Sequence, residues 1–243
     1  MMFESRPMGD AYYQMTHRPK VLQDAYWKRP NIDHSTSGDS EVAPIYLAVG
    51  EALSMWEQAE CSLATMYQIM CCIKDSSAIN AVLRAFGSIE SSAGRREALT
   101  AVAEIHFGHY WNDASKYFKA LMQAFSNGAK RRDEFAHGMA YGLALNGRHL
   151  GCYLLPAAYN TLRNNPYMSF AENGIPIGRA KYFYTSSMIR EFTKKFGQLN
   201  GETWTYLRRI SLVNGVPAFV LDALHGEGSA EKITKMIETA KKD

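Results

Sequence analysis

A charged run near the middle of the chain contains the side chains best suited to chemistry. Arg132 is followed directly by Asp133, and His137 comes five residues after the arginine. The planar guanidinium of arginine suits phosphate oxygens, and histidine can both take and give a proton near neutral pH. Lys130 and Arg131 precede this arginine and would add positive charge for binding a substrate. Together these residue types predict chemistry on a phosphodiester.

The spacing sets a condition on how Arg132 and His137 act together. Five residues of α-helix correspond to about 140° of rotation, so the two side chains would not share a helix face. Either the helix begins near Ala136, with Arg132 in a loop after Gly128, or two copies of the chain combine their residues across a dimer cleft. The small residues Ala136 and Gly138 leave room for a large ligand beside the histidine.

The same spacing of arginine and histidine occurs a second time, at Arg29 and His34. That copy lies in a segment broken by prolines and has no polar residue directly after the arginine, so we assign it no site. The copy at Arg132 also has a structural interpretation. In that interpretation its charges are solvated on a helix surface, and His137 is a packed, hydrogen-bonded residue.

Four long helices are predicted from apolar residues at helical spacing. Pro44 stands at the start of the first, where proline is tolerated, and Asn127-Gly128 is expected to end or interrupt the third. A short helix is predicted after Ser229. The four long helices are predicted over 45–73, 77–106, 111–126 and 181–200, the last continuing to about 211.

The periodicity changes after the motif. Apolar residues alternate on both sides of Asn146-Gly147, which is a strong signal for a β-hairpin. The predicted fold class is therefore mainly α: an antiparallel bundle of four to five helices with a small inserted β-hairpin or long loop around 139–178. The predicted domains are an extended or flexible N-terminal arm over 1–43, a helical bundle over 44–211, and a C-terminal appendage with a short helix over 212–243.

Composition narrows the class of protein. The net charge of +3, from 27 basic and 24 acidic residues, does not by itself indicate a nucleic-acid binder. The four cysteines form no CxxC pair, as expected of buried thiols in a reducing compartment. The first residues lack the apolar core of a signal peptide, and no apolar run approaches the roughly 20 residues of a membrane span. The sequence predicts a cytoplasmic protein with no membrane partner.

No metal and no cofactor are predicted. The chain has no GxxxxGK loop for phosphates, no GxSxG turn and no set of zinc ligands. His106 and His109 lie three residues apart near Glu104 and Asp113, but histidines without a clear further ligand more often cap or pack. We therefore assign no metal site from these residues.

Residues 132–138, which read Arg-Asp-Glu-Phe-Ala-His-Gly, resemble the signature of HEPN domains (higher eukaryotes and prokaryotes nucleotide-binding). In that family an arginine, a polar residue, three further residues and a histidine form the site. The match is short, and the predicted helices of 44–211 agree with the four- or five-helix bundle of the family. The resemblance implies a homodimer and a metal-independent endoribonuclease of toxin, phage-defence or RNA-processing systems. RNA would be its substrate, and an antitoxin or another protein a further partner.

The resemblance also implies roles for the motif residues. The ribose 2′-hydroxyl would attack the neighbouring phosphate while His137 moves a proton as base or acid. Arg132 would hold the phosphate oxygens and offset charge gained in the transition state, and Asp133 would orient Arg132 or His137. The products would carry a 2′,3′-cyclic phosphate and a 5′-hydroxyl. The alternative is a non-catalytic helical module that binds a nucleotide or a protein and in which the motif is structural.

Overall fold

The structure, a computed structural model, describes residues 19–30, 37–73, 75–107, 113–145, 148–157 and 180–213. Within these ranges, five α-helices and one β-hairpin confirm the predicted mainly α fold with a small inserted hairpin. The short helix predicted after Ser229 lies outside the described residues. The elements are α1 (Ala43–Met70), α2 (Ser76–Gly87), α3 (Ser92–Phe107), α4 (Asp113–Ala136), β1 (Gly138–Leu145), β2 (Arg148–Pro156) and α5 (Ser186–Val213).

The segment predicted as one helix over 77–106 forms two helices, α2 and α3, so that prediction was wrong. Near the end of α2 the Ile89 N–H donates a hydrogen bond to the carbonyl of Phe86 at 3.2 Å. Ser91 then caps α3, because its hydroxyl accepts a hydrogen bond from the Gly94 N–H at 3.0 Å. The serine starts a new helix that apolar periodicity alone does not reveal.

The hairpin forms where alternating apolar residues predicted it. Strands β1 and β2 pair antiparallel, from Gly138 opposite Pro156 to Leu145 opposite Arg148. The turn residues Asn146-Gly147 themselves lie outside the described residues. The chain therefore leaves the end of α4 directly into a strand, which fixes the surroundings of the motif.

Asp39 joins three separate parts of the chain. Its backbone N–H and carbonyl pair with Cys152 of β2 at 3.0 and 2.6 Å. Its carboxylate accepts hydrogen bonds from the N–H and the hydroxyl of Ser186, at 2.7 and 2.6 Å, at the first turn of α5. Beside this bridge Gly151 has a φ of +111°, and a Cβ there would lie 2.5 Å from the Cα of Gly38. Only glycine suits that backbone conformation and that close approach.

The chain divides into two compact units. Helices α1, α4 and α5 each contribute residues to both. The first unit comprises Met1–His17, Ser62–Phe118 and Asn200–Asp243, and the second comprises Arg18–Cys61 and Lys119–Leu199.

Aromatic contacts hold the described part of the first unit together. Tyr117 of α4 stacks on Tyr206 of α5 with ring centroids 5.5 Å apart. The buried hydroxyl of Tyr206 donates a hydrogen bond to the carbonyl of Ala114 at 3.2 Å, so its polar end is satisfied. Tyr67 of α1 packs on Phe86 of α2 at 4.8 Å.

A second aromatic cluster forms the core of the second unit. Trp56 of α1 is 1% exposed, and its ring lies edge-on to Phe125 of α4 at 5.8 Å and to Phe196 of α5 at 5.2 Å. Trp27, in the 3-10 helix Asp24–Trp27, stacks on Phe196 at 5.9 Å. Part of the segment predicted as an N-terminal arm thus packs into this core.

Helix α4 continues through Asn127-Gly128 to Ala136, so the prediction that this pair ends or interrupts the helix was wrong. A Cβ at Gly128 would lie 2.8 Å from the ring of Trp56 and 3.4 Å from the ring of Trp27. The glycine lets two tryptophans approach the helix backbone. A glycine inside a helix costs about 1 kcal/mol relative to alanine, which this packing offsets.

Replacing Gly128 with alanine is expected to lower the free energy of unfolding by about 2 kcal/mol, since a methyl group is forced against the ring of Trp56. Gly50, in α1, is the matched control, because a Cβ there meets nothing within 4 Å. Gly50→Ala should stabilise the protein by about 0.5–1 kcal/mol. Urea unfolding of both variants measures the difference, and equal shifts in the same direction would contradict the packing explanation.

Candidate functional site

The motif residues lie at the carboxyl end of α4. Arg132 and Asp133 are inside the helix, and the expectation that Arg132 lies in a loop before a later helix was wrong. His137 follows the last helical residue, and its backbone N–H donates a hydrogen bond to the carbonyl of Asp133 at 3.1 Å. The chain therefore still follows the helix as far as His137. The side chain of His137 is exposed.

The guanidinium of Arg132 forms ion pairs with two carboxylates. One guanidinium nitrogen, Nη1, lies 3.1 Å from Oδ1 of Asp133, and Nη2 lies 3.8 Å from Oε1 of Glu57 on α1. Among the residues that the structure describes, no hydrogen bond or ion pair joins Arg132 to His137. Arg132 and His137, two of the three predicted catalytic residues, are therefore five residues apart in the chain but have different surroundings, as a rotation of about 140° between them requires.

A buried polar cluster next to the motif is centred on Glu134, which is 5% exposed. Its Oε1 lies 2.6 Å from Nη2 of Arg29, and its Oε2 lies 3.0 Å from Nη1 of Arg131. The hydroxyl of Tyr184 donates a short hydrogen bond to the same Oε2. The hydroxyl of Tyr182 donates to the backbone carbonyl of Glu134 at 3.2 Å. A buried carboxylate is thus compensated by two guanidinium groups and a phenol, as burial of a charge requires.

Burial raises the pKa of Tyr184 well above its usual value, and the neighbouring carboxylate of Glu134 raises it further. The phenol therefore stays protonated and remains a donor. Burial alone would lower the pKa of the Arg29 guanidinium, but the hydrogen bond and attraction to Glu134 outweigh it and raise that pKa. With these raised pKa values Tyr184 stays neutral and Arg29 stays positively charged, so both remain hydrogen-bond donors to Glu134.

A cavity of about 380 Å³ opens beside this cluster, and we call it the basic pocket. It lies between the 3-10 helix Asp24–Trp27, with the two residues that follow it, and one face of α4. Inside it the side-chain amide of Asn127 donates a hydrogen bond to Oδ1 of Asp24 at 2.7 Å. The residues that line the basic pocket are Asp24, Trp27, Lys28, Arg29, Asn127, Lys130 and Arg131.

The predicted substrate-binding residues Lys130 and Arg131 both line the basic pocket, whereas the predicted catalytic residues Arg132, Asp133 and His137 are not among its lining residues. On α4 the pocket residues Asn127, Lys130 and Arg131 and the buried Glu134 have the spacing i, i+3, i+4 and i+7, which is one helix face. His137 comes seven residues after Lys130, so it lies near that face and about 10 Å further along the axis. Arg132 lies on a different side.

Sequence reasoning missed Glu134, Arg29, Lys28 and Tyr184. A signal for Glu134 was present, because it shares helical spacing with Lys130 and Arg131. Arg29 was assigned no site because its segment is broken by prolines and no polar residue directly follows it. No short-range pattern connects Arg29 to Glu134, which lie 105 residues apart in the chain.

The described residues contain no group of three or more histidine, cysteine, aspartate or glutamate side chains that could hold a metal ion. His106 instead packs, with Nδ1 3.1 Å from the carbonyl oxygen of Met70. Burial lowers the pKa of this imidazole, and the contact with Met70 raises it in part. His109, its neighbour in the sequence, lies outside the described residues.

Comparison with known proteins gives no relative for the chain: no family model matches it, and no curated protein or solved structure matches it significantly. In the described ranges, none of the helices is long and apolar enough to cross a membrane.

Proposed function

We propose that this chain is a HEPN-like RNA-binding protein that cleaves RNA without a metal ion. One observation carries the proposal: the end of α4 presents Lys130, Arg131 and the exposed His137 near one face, beside the basic pocket. Lysine and arginine bind phosphates through charge and hydrogen bonds, and an accessible histidine can transfer protons near neutral pH. The motif resemblance supports the type of reaction.

In the proposed reaction the ribose 2′-oxygen forms a bond to the neighbouring phosphorus, and the bond from phosphorus to the 5′-oxygen breaks. His137 takes the proton of the 2′-hydroxyl or gives one to the leaving 5′-oxygen. Because Arg132 lies on another side of α4, we propose that a homodimer combines Arg132 of one copy with His137 of the second. Asp133 holds the guanidinium of Arg132 at 3.1 Å for its contact with the phosphate.

The cellular setting belongs to the same proposal. A cytoplasmic location gives access to RNA, and a role in a toxin or phage-defence system follows from the motif resemblance. An antitoxin or another protein partner would then control the ribonuclease.

One observation favours a second function, that of a non-catalytic module that binds a nucleotide or a protein. The guanidinium of Arg132 already contacts the carboxylates of Asp133 and Glu57. In this case the basic pocket would still bind phosphate, while the motif would hold the end of α4 in place.

The experiment that separates the two functions is incubation of a mixed tRNA and mRNA pool with the full chain in EDTA. We expect wild type to cut the RNA and leave 2′,3′-cyclic phosphate ends. His137→Ala should slow cutting by about 100-fold or more, the usual contribution of a general acid or base. Arg132→Ala should also abolish most cutting, because charge in the transition state is no longer offset.

His149→Ala is the matched control, since His149 is another exposed histidine and lies on β2. Its rate should equal that of wild type. Equal cutting by all four proteins would remove His137 and Arg132 from the reaction. RNA binding without any cutting would reject the ribonuclease and support the non-catalytic module.

A further inference from the structure

We infer that the basic pocket holds a terminal phosphate, the phosphomonoester at the end of an RNA chain, in preference to an internal phosphodiester. The inference rests on the proposed function in that it takes RNA as the ligand. It adds which part of the RNA the pocket recognises.

The first argument is charge. Four cationic side chains line the pocket, namely Lys28, Arg29, Lys130 and Arg131. The carboxylates of Asp24, in the pocket, and Glu134, bound to both arginines, offset two of these charges and leave an excess of two. A phosphomonoester carries about −1.5 to −2 at pH 7, because its second pKa is near 6. An internal phosphodiester carries a single negative charge and would neutralise only one of the two excess positive charges.

The second argument is the way the arginines are held. Glu134 binds Arg29 through one carboxylate oxygen and Arg131 through the other, so both guanidinium groups are fixed from the same side. Guanidinium groups held in fixed positions favour a ligand with several oxygens, and a terminal phosphate offers three.

The third argument is size. The volume of about 380 Å³ is near the lower end of the range for small-molecule sites, roughly 300–1,000 Å³. This volume is large enough for one phosphate with its nucleoside. Trp27 is among its walls but is buried in the core, so the site recognises phosphate and not a stacked base.

The test uses fluorescent 2′-O-methyl oligonucleotides of one sequence, which cannot undergo attack by a 2′-hydroxyl. Three versions carry a 5′-phosphate, a 3′-phosphate or hydroxyls at both ends. Fluorescence anisotropy with the full chain should show at least tenfold tighter binding of one phosphorylated version, and the version preferred identifies the end. Adenosine 5′-monophosphate should compete more strongly than adenosine if the 5′ end is the one held.

Lys130→Ala and Lys28→Ala should each reduce this preference severalfold, because each removes one pocket cation. Lys194→Ala is the control, since Lys194 is exposed and pairs with Glu191 at 2.7 Å away from the pocket lining. Equal binding of the three versions, or a preference that survives both pocket variants, would overturn the inference. The ribonuclease is judged separately by cutting in EDTA, so a preference without cutting keeps this inference and rejects only the cleavage.

Discussion

Replacing Glu134 with glutamine is expected to lower the free energy of unfolding by about 3 kcal/mol, the usual cost of breaking a buried ion pair from one side. Glutamine keeps the shape of the side chain but has one acceptor oxygen. Arg29, Arg131 and Tyr184 all direct donors at the present carboxylate. The amide NH₂ of glutamine would face one of these donors and leave it unpaired in a buried site. The midpoint of urea unfolding should fall at an unchanged slope.

Glu191→Gln is the control for this substitution. Glu191 is exposed and pairs with Lys194 at 2.7 Å, so its loss should change stability by less than about 0.5 kcal/mol. If the two variants unfold at the same urea concentration, the cluster around Glu134 does not stabilise the fold.

Trp56→Ala is expected to cost about 4 kcal/mol of stability, as for other large aromatic side chains removed from a core. The ring is 1% exposed and contacts Phe125, Phe196 and the backbone at Gly128. A cavity in this place cannot fill without movement of α1 against α4. Thermal unfolding monitored by circular dichroism measures the loss, and Tyr46→Ala, at an exposed position of α1, should leave the midpoint nearly unchanged.

A double variant tests whether the ring of Trp56 causes the loss of stability expected for Gly128→Ala. Trp56→Phe replaces the indole next to Gly128 with a smaller ring and should reduce the loss of stability caused by Gly128→Ala. The two substitutions should therefore be non-additive, with a coupling of about 1 kcal/mol that favours the double variant. Strict additivity would show that the ring and the glycine do not restrict each other.

The parts of the fold that depend on local pattern could be predicted from the sequence. The hairpin followed from alternating apolar residues around Asn146-Gly147, and most helices followed from apolar spacing. Gly128 misled the prediction because a glycine that ends a helix and a glycine that admits a neighbouring ring look the same in one sequence. Which of the two applies depends on Trp56 and Trp27, far away in the chain.

In the candidate site too, contacts between residues far apart in the chain could not be predicted from the sequence. Lys130 and Arg131 could be proposed as substrate-binding residues from their charge and their place before the motif, and they line the basic pocket. The buried position of Glu134 could not be predicted, since it is compensated by Arg29 from 105 residues away. A charged residue in a helix looks solvated until its distant partner is known.

The contacts of Asp39 affect when the basic pocket forms during synthesis of the chain. Its carboxylate binds Ser186, 147 residues later, so the segment that also carries Asp24 and Arg29 is anchored by residues that leave the ribosome much later. Contacts over such a separation form late, because a long loop must close first. Trp27, in the N-terminal wall of the basic pocket, also stacks on Phe196 of α5, so we expect this wall to be completed only after α5 has emerged. A nascent chain that stops before Ser186 would lack this anchor, so we expect the proposed phosphate binding to begin only after most of the protein has been made.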